Sequence, residues 1–276
     1  MPLIIDVDPV AFTLLGFPVR WYGLILVAAA AVAIWLAQLE GARRGIAARD
    51  IADAVIWVGV AALVGGRLLY VLQNDLPTIA DHPAHVVMVW IGGLSFYGGL
   101  IGGLVALAVF ARRRGIPPLA AFDVAAPGAA LGQAIGHVGC LVGGDSYGLP
   151  TDVPWAVVYR NPAAMAPQGI PLHPTQAYEA ILLAILFVGL WAFRRRLAGL
   201  GDGVMAAAYL LGLAAIRFGL FFLRDEAPVL AGLKTAQVIG LGIAVAAVLV
   251  LVIARRWALR AQQSPVRPLQ LEATPT

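Results

Sequence analysis

Runs of roughly eighteen or more predominantly apolar residues recur along this chain, the length a helix needs to cross the hydrocarbon core of a bilayer. The runs are continuous rather than alternating, which excludes a transmembrane β-barrel. Composition points the same way: 61% of the 276 residues are hydrophobic and 12% are charged, about half the charge of a soluble domain. The expectation is an all-α, polytopic membrane protein with seven transmembrane helices, near residues 19–39, 51–73, 87–111, 119–142, 175–193, 203–223 and 236–254.

The connections decide the topology. Arg43, Arg44 and Arg49 follow the first span, Arg112, Arg113 and Arg114 the third, Arg194, Arg195 and Arg196 the fifth, and Arg255, Arg256, Arg260 and Arg267 the last. The connections between them carry Asp75 and Asp81, a lone Arg160, or Arg224 and Lys234 mixed with Asp225 and Glu226. Basic clusters mark the cytoplasmic side, so the N-terminus is expected outside and the C-terminus in the cytoplasm. The sequence pI near 9.6 therefore reports topology, and no nucleic-acid partner is expected. Met1–Gly16 has no basic start and carries Asp6 and Asp8, unlike a cleavable signal peptide. Residues 1–261 read as one membrane domain, including an extracytoplasmic cap at 143–174 made irregular by Pro150, Pro154, Pro162, Pro167, Pro171 and Pro174. Residues 262–276 read as a disordered cytoplasmic tail.

This topology collects ionisable groups at one end. Tyr22, Tyr97, Gln176 and Glu179 fall early in inward-running spans, and Arg67, His137, Arg217 and Arg224 fall late in outward-running ones. Asp145 lies just beyond His137, whereas Asp53 and Asp123 sit near the inner surface. A charge in hydrocarbon costs several kcal/mol, so these groups face the bundle interior or a watery cavity. Arg217 and Arg224 are seven residues apart in sequence, which on one helix gives a shared face about 10 Å long. Two guanidiniums there suit a phosphate headgroup, although Arg224 alone also reads as a side chain reaching for the interface. Arg67 reads either as a structural ion pair with Glu179 or as a site residue. His173 precedes a helix start and could cap it or point inward. His82 and His85 lack the further ligands a metal site needs.

The stretch Gly132–Gly148, GQAIGHVGCLVGGDSYG, holds the sole cysteine, Cys140, between His137 and Asp145. One cysteine excludes an internal disulfide. Gly132, Gly136 and Gly139 would let two membrane helices pack closely, which leaves the histidine and the acid to be explained by chemistry. Cys140 reads as a small buried residue or as a thiol influenced by His137.

Several stretches together resemble the prolipoprotein diacylglyceryl transferases: Arg20-Trp21-Tyr22-Gly23, the run from Gly92 to Gly102, Gly136–Gly148, and His173-Pro174-Thr175-Gln176-Ala177-Tyr178-Glu179. Gly65-Gly66-Arg67, Asp123 with Pro127, and Arg217 with Arg224 also fall where that family has them. The resemblance implies a seven-helix enzyme of the bacterial inner membrane. Such an enzyme moves diacylglyceryl from phosphatidylglycerol onto the lipobox cysteine of a preprolipoprotein among membrane lipids, without metal or organic cofactor. It implies catalytic roles for Tyr97, His137, Asp145 and Arg217, and substrate-binding roles for Tyr22, Arg67, Cys140, Gly148, His173, Gln176 and Arg224. The family usually has Arg at 137, Asn at 140, Glu at 145, His at 97 and an acid at 221; here these are His137, Cys140, Asp145, Tyr97 and Phe221. The departures leave two alternatives open: a relative using another phospholipid or acceptor, and a lipid-binding membrane protein without enzymatic activity.

Overall fold

The computed structural model describes residues 2–74, 83–88 and 93–263. Among these, seven long helices run in chain order: α1 (Trp21–Arg43), α2 (Ala48–Asn74), α3 (Phe96–Arg113), α4 (Pro118–Gly143), α5 (Thr175–Gly199), α6 (Val204–Leu220) and α7 (Thr235–Gln263). Six of them, all but α3, are long and apolar enough to cross a membrane by length and composition. Asp75, Asp81 and His82 lie outside the described residues, as does the expected tail from 264 on; residues 262 and 263 continue α7.

Helix α3 corrects the expected third span. It starts at Phe96 and not near 87; a short 3-10 turn, Pro83–Val87, stands where that span should begin. The apolar residues of that region hid the break. Gly93 adopts φ +78°, incompatible with a continuing helix, and the Ser95 hydroxyl accepts a bond from the Gly98 N–H as the helix cap.

The helices pair by close approach of small residues. Helix α2 packs most extensively on α3, and α1 on α4. A Cβ placed on Gly98 would lie 2.2 Å from the Gly65 carbonyl oxygen, so the α2–α3 contact tolerates only glycine there. On α4, Gly132 and Gly139 do abut α1, whereas Gly136 faces open space, so it does not belong to the packing stripe expected of all three. Helices α4, α5 and α6 enclose the main apolar core around Ala130, Leu183, Met205 and Leu213. An apolar cavity of about 380 Å³ lies among α1–α4.

Short strands modify the all-α expectation. Strand β1 (Leu3–Ile5) pairs in parallel with β4 (Val157–Tyr159), tying the N-terminus to the cap. Strands β2 (Val10–Leu14) and β3 (Phe17–Arg20) form a hairpin that runs straight into α1. A second hairpin, β5 (Pro228–Leu230) with β6 (Leu233–Lys234), runs straight into α7. The cap has its own small core of Val157, Tyr159, Ala166 and Leu172.

Candidate active site

The site is built where α4 ends and α5 begins. Helix α4 stops at Gly144, whose φ of +76° returns its N–H to the Cys140 carbonyl at 2.9 Å. The next residues are held by the first turn of α5: Gln176 Nε2 donates to the Asp145 carbonyl at 2.5 Å, and Thr175 Oγ1 donates to the Ser146 carbonyl at 2.8 Å. Pro174 is the residue before the helix and Thr175 its first residue. Ser146 is held at φ +57°, a conformation that costs a non-glycine residue and often marks functional sites. Gly148 is clamped between segments: a Cβ there would lie 2.7 Å from both His173 Cβ and the Leu223 carbonyl oxygen.

Glu179, one turn into α5, is fully buried and stands at the centre. Its Oε2 accepts from Arg224 Nη2 at 2.6 Å. Its Oε1 lies 3.3 Å from His137 Nε2 and 3.4 Å from Arg217 Nε. A carboxylate buried without partners would be costly; here three basic groups from α4, α6 and the segment after α6 surround it. Arg217 and Arg224 do not share a helix face as expected. Helix α6 ends at Leu220, a 3-10 turn covers Phe221–Leu223, and Arg224 is extended. That break brings the two guanidiniums to opposite oxygens of one carboxylate. Arg224 is buried and stacks over Phe221, 4.9 Å from the ring centroid, so it does not reach for the interface.

Beside this cluster lies a cavity of about 320 Å³. Tyr97 of α3, His137 of α4, Ser146, Arg217, Phe221, Arg224, Glu226 and Thr235 line it. His137 Nδ1 is buried and has no hydrogen-bond partner among the described residues. The geometry can therefore hold an anionic group against arginine, with the His137 ring in the same wall.

Of the residues singled out from the sequence, Tyr97, His137, Arg217 and Arg224 line the cavity. Asp145, Gln176 and Gly148 do not line it; they belong to the turn joining α4 to α5 through the contacts above. Tyr22 packs over Gly139, where an added Cβ would sit 3.1 Å from the ring, and Cys140 is half-buried. His173 neither caps α5 nor lines the cavity; its Nδ1 faces Tyr178 Oη at 3.4 Å, and Tyr178 in turn accepts from Trp155. Arg67 is buried and donates to the carbonyls of Val86 at 3.3 Å and Gly93 at 3.0 Å, and the ion pairs of Glu179 go to the other three basic residues.

Sequence reasoning placed Glu179 in the outer-end group of ionisable residues and as a partner for Arg67 but not among the site residues, although an acid three residues after a glutamine in an apolar helix was a signal for the centre. Ser146, Glu226 and Tyr159 were missed. Tyr159 gave no signal: burial, with the Asp145 carboxylate adding to it, raises its phenol above the ordinary value, and the neutral hydroxyl donates to the Leu141 carbonyl at 2.8 Å.

A family model described as prolipoprotein diacylglyceryl transferase matches residues 9–253. A phosphatidylglycerol–prolipoprotein diacylglyceryl transferase of Synechococcus elongatus is 35% identical over 249 residues, which are 87% of this chain and 82% of that protein. A protein of the same name from Azotobacter vinelandii is 37% identical over 219 residues, 78% of each chain. Another, from Geobacter sulfurreducens, is 36% identical over 224 residues, 79% of this chain and 83% of its own.

Proposed function

The chain belongs to the prolipoprotein diacylglyceryl transferase family, and from that premise we propose that its cavity transfers diacylglyceryl from phosphatidylglycerol to the lipobox cysteine of a prolipoprotein. The protein is a transferase of lipoprotein maturation. The alternation of arginine clusters supports an N-terminus outside, a cytoplasmic C-terminus and a site facing the outer leaflet of the bacterial inner membrane.

The reaction forms a carbon–sulfur bond at the glycerol carbon that carries the phosphate and breaks that carbon's bond to oxygen. The thiol proton must leave, since the thiolate is the nucleophile. The bonding electron pair departs with glycerol phosphate, whose added negative charge needs cations close by. Arg217, partly open to the cavity, meets the phosphate, with Arg224 behind it. His137, in the cavity wall, receives the thiol proton. Its Nε2 lies 3.3 Å from the Glu179 carboxylate, which orients the ring. Tyr97, across the cavity, orients the glycerol. Tyr22 and Gly148 shape the headgroup end, and Asp145 holds the turn.

The observation that carries this reading is the meeting of His137, Arg217 and Arg224 on one buried carboxylate at a cavity wall. The test is to incubate the purified protein with phosphatidylglycerol vesicles and a lipobox peptide. The peptide gains the mass of one diacylglyceryl group. An unchanged peptide, under conditions where a relative from Azotobacter vinelandii modifies it, would refute the proposal.

A further inference from the structure

Three non-glycine residues adopt a positive φ among the described residues: Ser146 at the cavity, Leu15 at +50° and Ala231 at +48°. The last two sit at the tips of the β2–β3 and β5–β6 hairpins. Each is followed by a glycine, Gly16 at φ +84° and Gly232 at +79°, so both turns have positive φ at both central residues. That is the type I′ pattern, whose first central position favours Asn, Asp or Gly. This chain places a leucine and an alanine there.

The same tips are apolar and uncovered. Leu15 is 91% exposed and Phe17 75%, while Leu14 and, on the other hairpin, Val229 and Leu230 are exposed as well. No charged residue interrupts Val10–Pro18 or Pro228–Leu233. Each hairpin leads without a break into an apolar helix whose outer surface is also exposed, α1 at Val27 and α7 at Val245. Water would penalise both the conformation and the exposure. A lipid leaflet reverses the second penalty, because apolar side chains gain by leaving water for the boundary between headgroups and acyl chains.

We infer that the two hairpins are lipid-dipping feet: their tips insert into the leaflet at the site's end of the bundle and hold the cavity mouth at headgroup depth. The second hairpin lies between Glu226 and Thr235, both of which line the cavity, and the first ends at Trp21 and Tyr22. The second hairpin therefore borders the cavity that Arg217 lines, and the first adjoins the helix that carries Tyr22. The insertion itself does not depend on the proposed reaction; only the activity readout below rests on it.

Spin labels test the insertion. Leu15→Cys and Ala231→Cys, each with Cys140→Ser so that one thiol remains, are labelled in the full chain and placed in vesicles of phosphatidylglycerol and phosphatidylcholine. Ala163→Cys, on the exposed cap, serves as the aqueous control. The tip labels collide more with oxygen than with a nickel chelate, and the control shows the reverse. Tips that behave like the control overturn the inference. A second measurement uses Leu15→Asn with Ala231→Asn, which suits the turns better and so preserves folding. The double variant loses about fivefold in transfer from vesicle lipid and keeps its rate on short-chain, micelle-soluble phosphatidylglycerol. Equal rates in both formats, or equal losses in both, count against the feet. Failure of the unsubstituted protein to act on either lipid would instead refute the reaction and leave the labels to decide insertion.

Discussion

The two ends of the bundle both carry charge, and they use it differently. At the end with the arginine clusters, Arg44 bonds Glu40 at 3.1 Å, Asp123 at 3.1 Å and Asp202 at 3.2 Å. Asp123 also accepts the Gly203 and Ala206 N–H groups at 2.9 and 2.8 Å, capping the start of α6. Arg114 joins Asp50 at 2.9 Å and Asp53 at 2.5 Å. These carboxylates are matched to donors in a closed lock. At the opposite end, His137 Nδ1, Asp145 Oδ1 and Gln176 Oε1 are buried without hydrogen-bond partners among the described residues, beside the cavity that His137 lines. Buried polar groups are normally satisfied, so a cluster of exceptions marks chemistry rather than architecture. The comparison teaches that burial of charge alone does not identify a site; unfinished hydrogen bonding next to space does.

The contrast can be broken by substitution. Arg217→Ala is expected to cut transfer about a hundredfold or more, since a cation aimed at developing charge is lost; a peptide-modification rate near that of the unsubstituted chain would remove Arg217 from its role. Glu179→Gln keeps the shape but not the charge that gathers the three basic groups. It should lower the rate roughly tenfold to a hundredfold, as loss of an orienting partner does, measured on protein that still elutes as a folded species. Asp123→Ala strikes the closed end. It is expected to cost about 2–4 kcal/mol of stability, seen as a lower midpoint of thermal unfolding in detergent, while the folded fraction keeps its rate; a specific loss of rate would erase the distinction between the ends. Arg114→Ala, on a partly exposed pair, should change stability by no more than about 0.5 kcal/mol and leave transfer untouched.

Much of this was legible in the chain. Apolar run length gave seven spans, six of which coincide with helices long and apolar enough to cross a membrane, and alternating arginines gave each ionisable residue an end. Those two patterns gathered Tyr97, His137, Arg217 and Arg224 before any coordinate. What stayed hidden depends on contacts between distant segments. The α6 break before Arg224 has no proline, and its consequence appears only when both arginines reach Glu179. The pairing of Leu3–Ile5 with Val157–Tyr159 joins opposite halves of the sequence. Arg67 was placed in the site by position along its helix, yet its direction is set by the carbonyls of Val86 and Gly93, which periodicity does not encode.

Glu179 serves three basic neighbours with two oxygens. In the proposed reaction, a phosphate that draws one arginine away leaves the carboxylate two basic neighbours, so the pocket lends a counter-ion without stranding a buried charge.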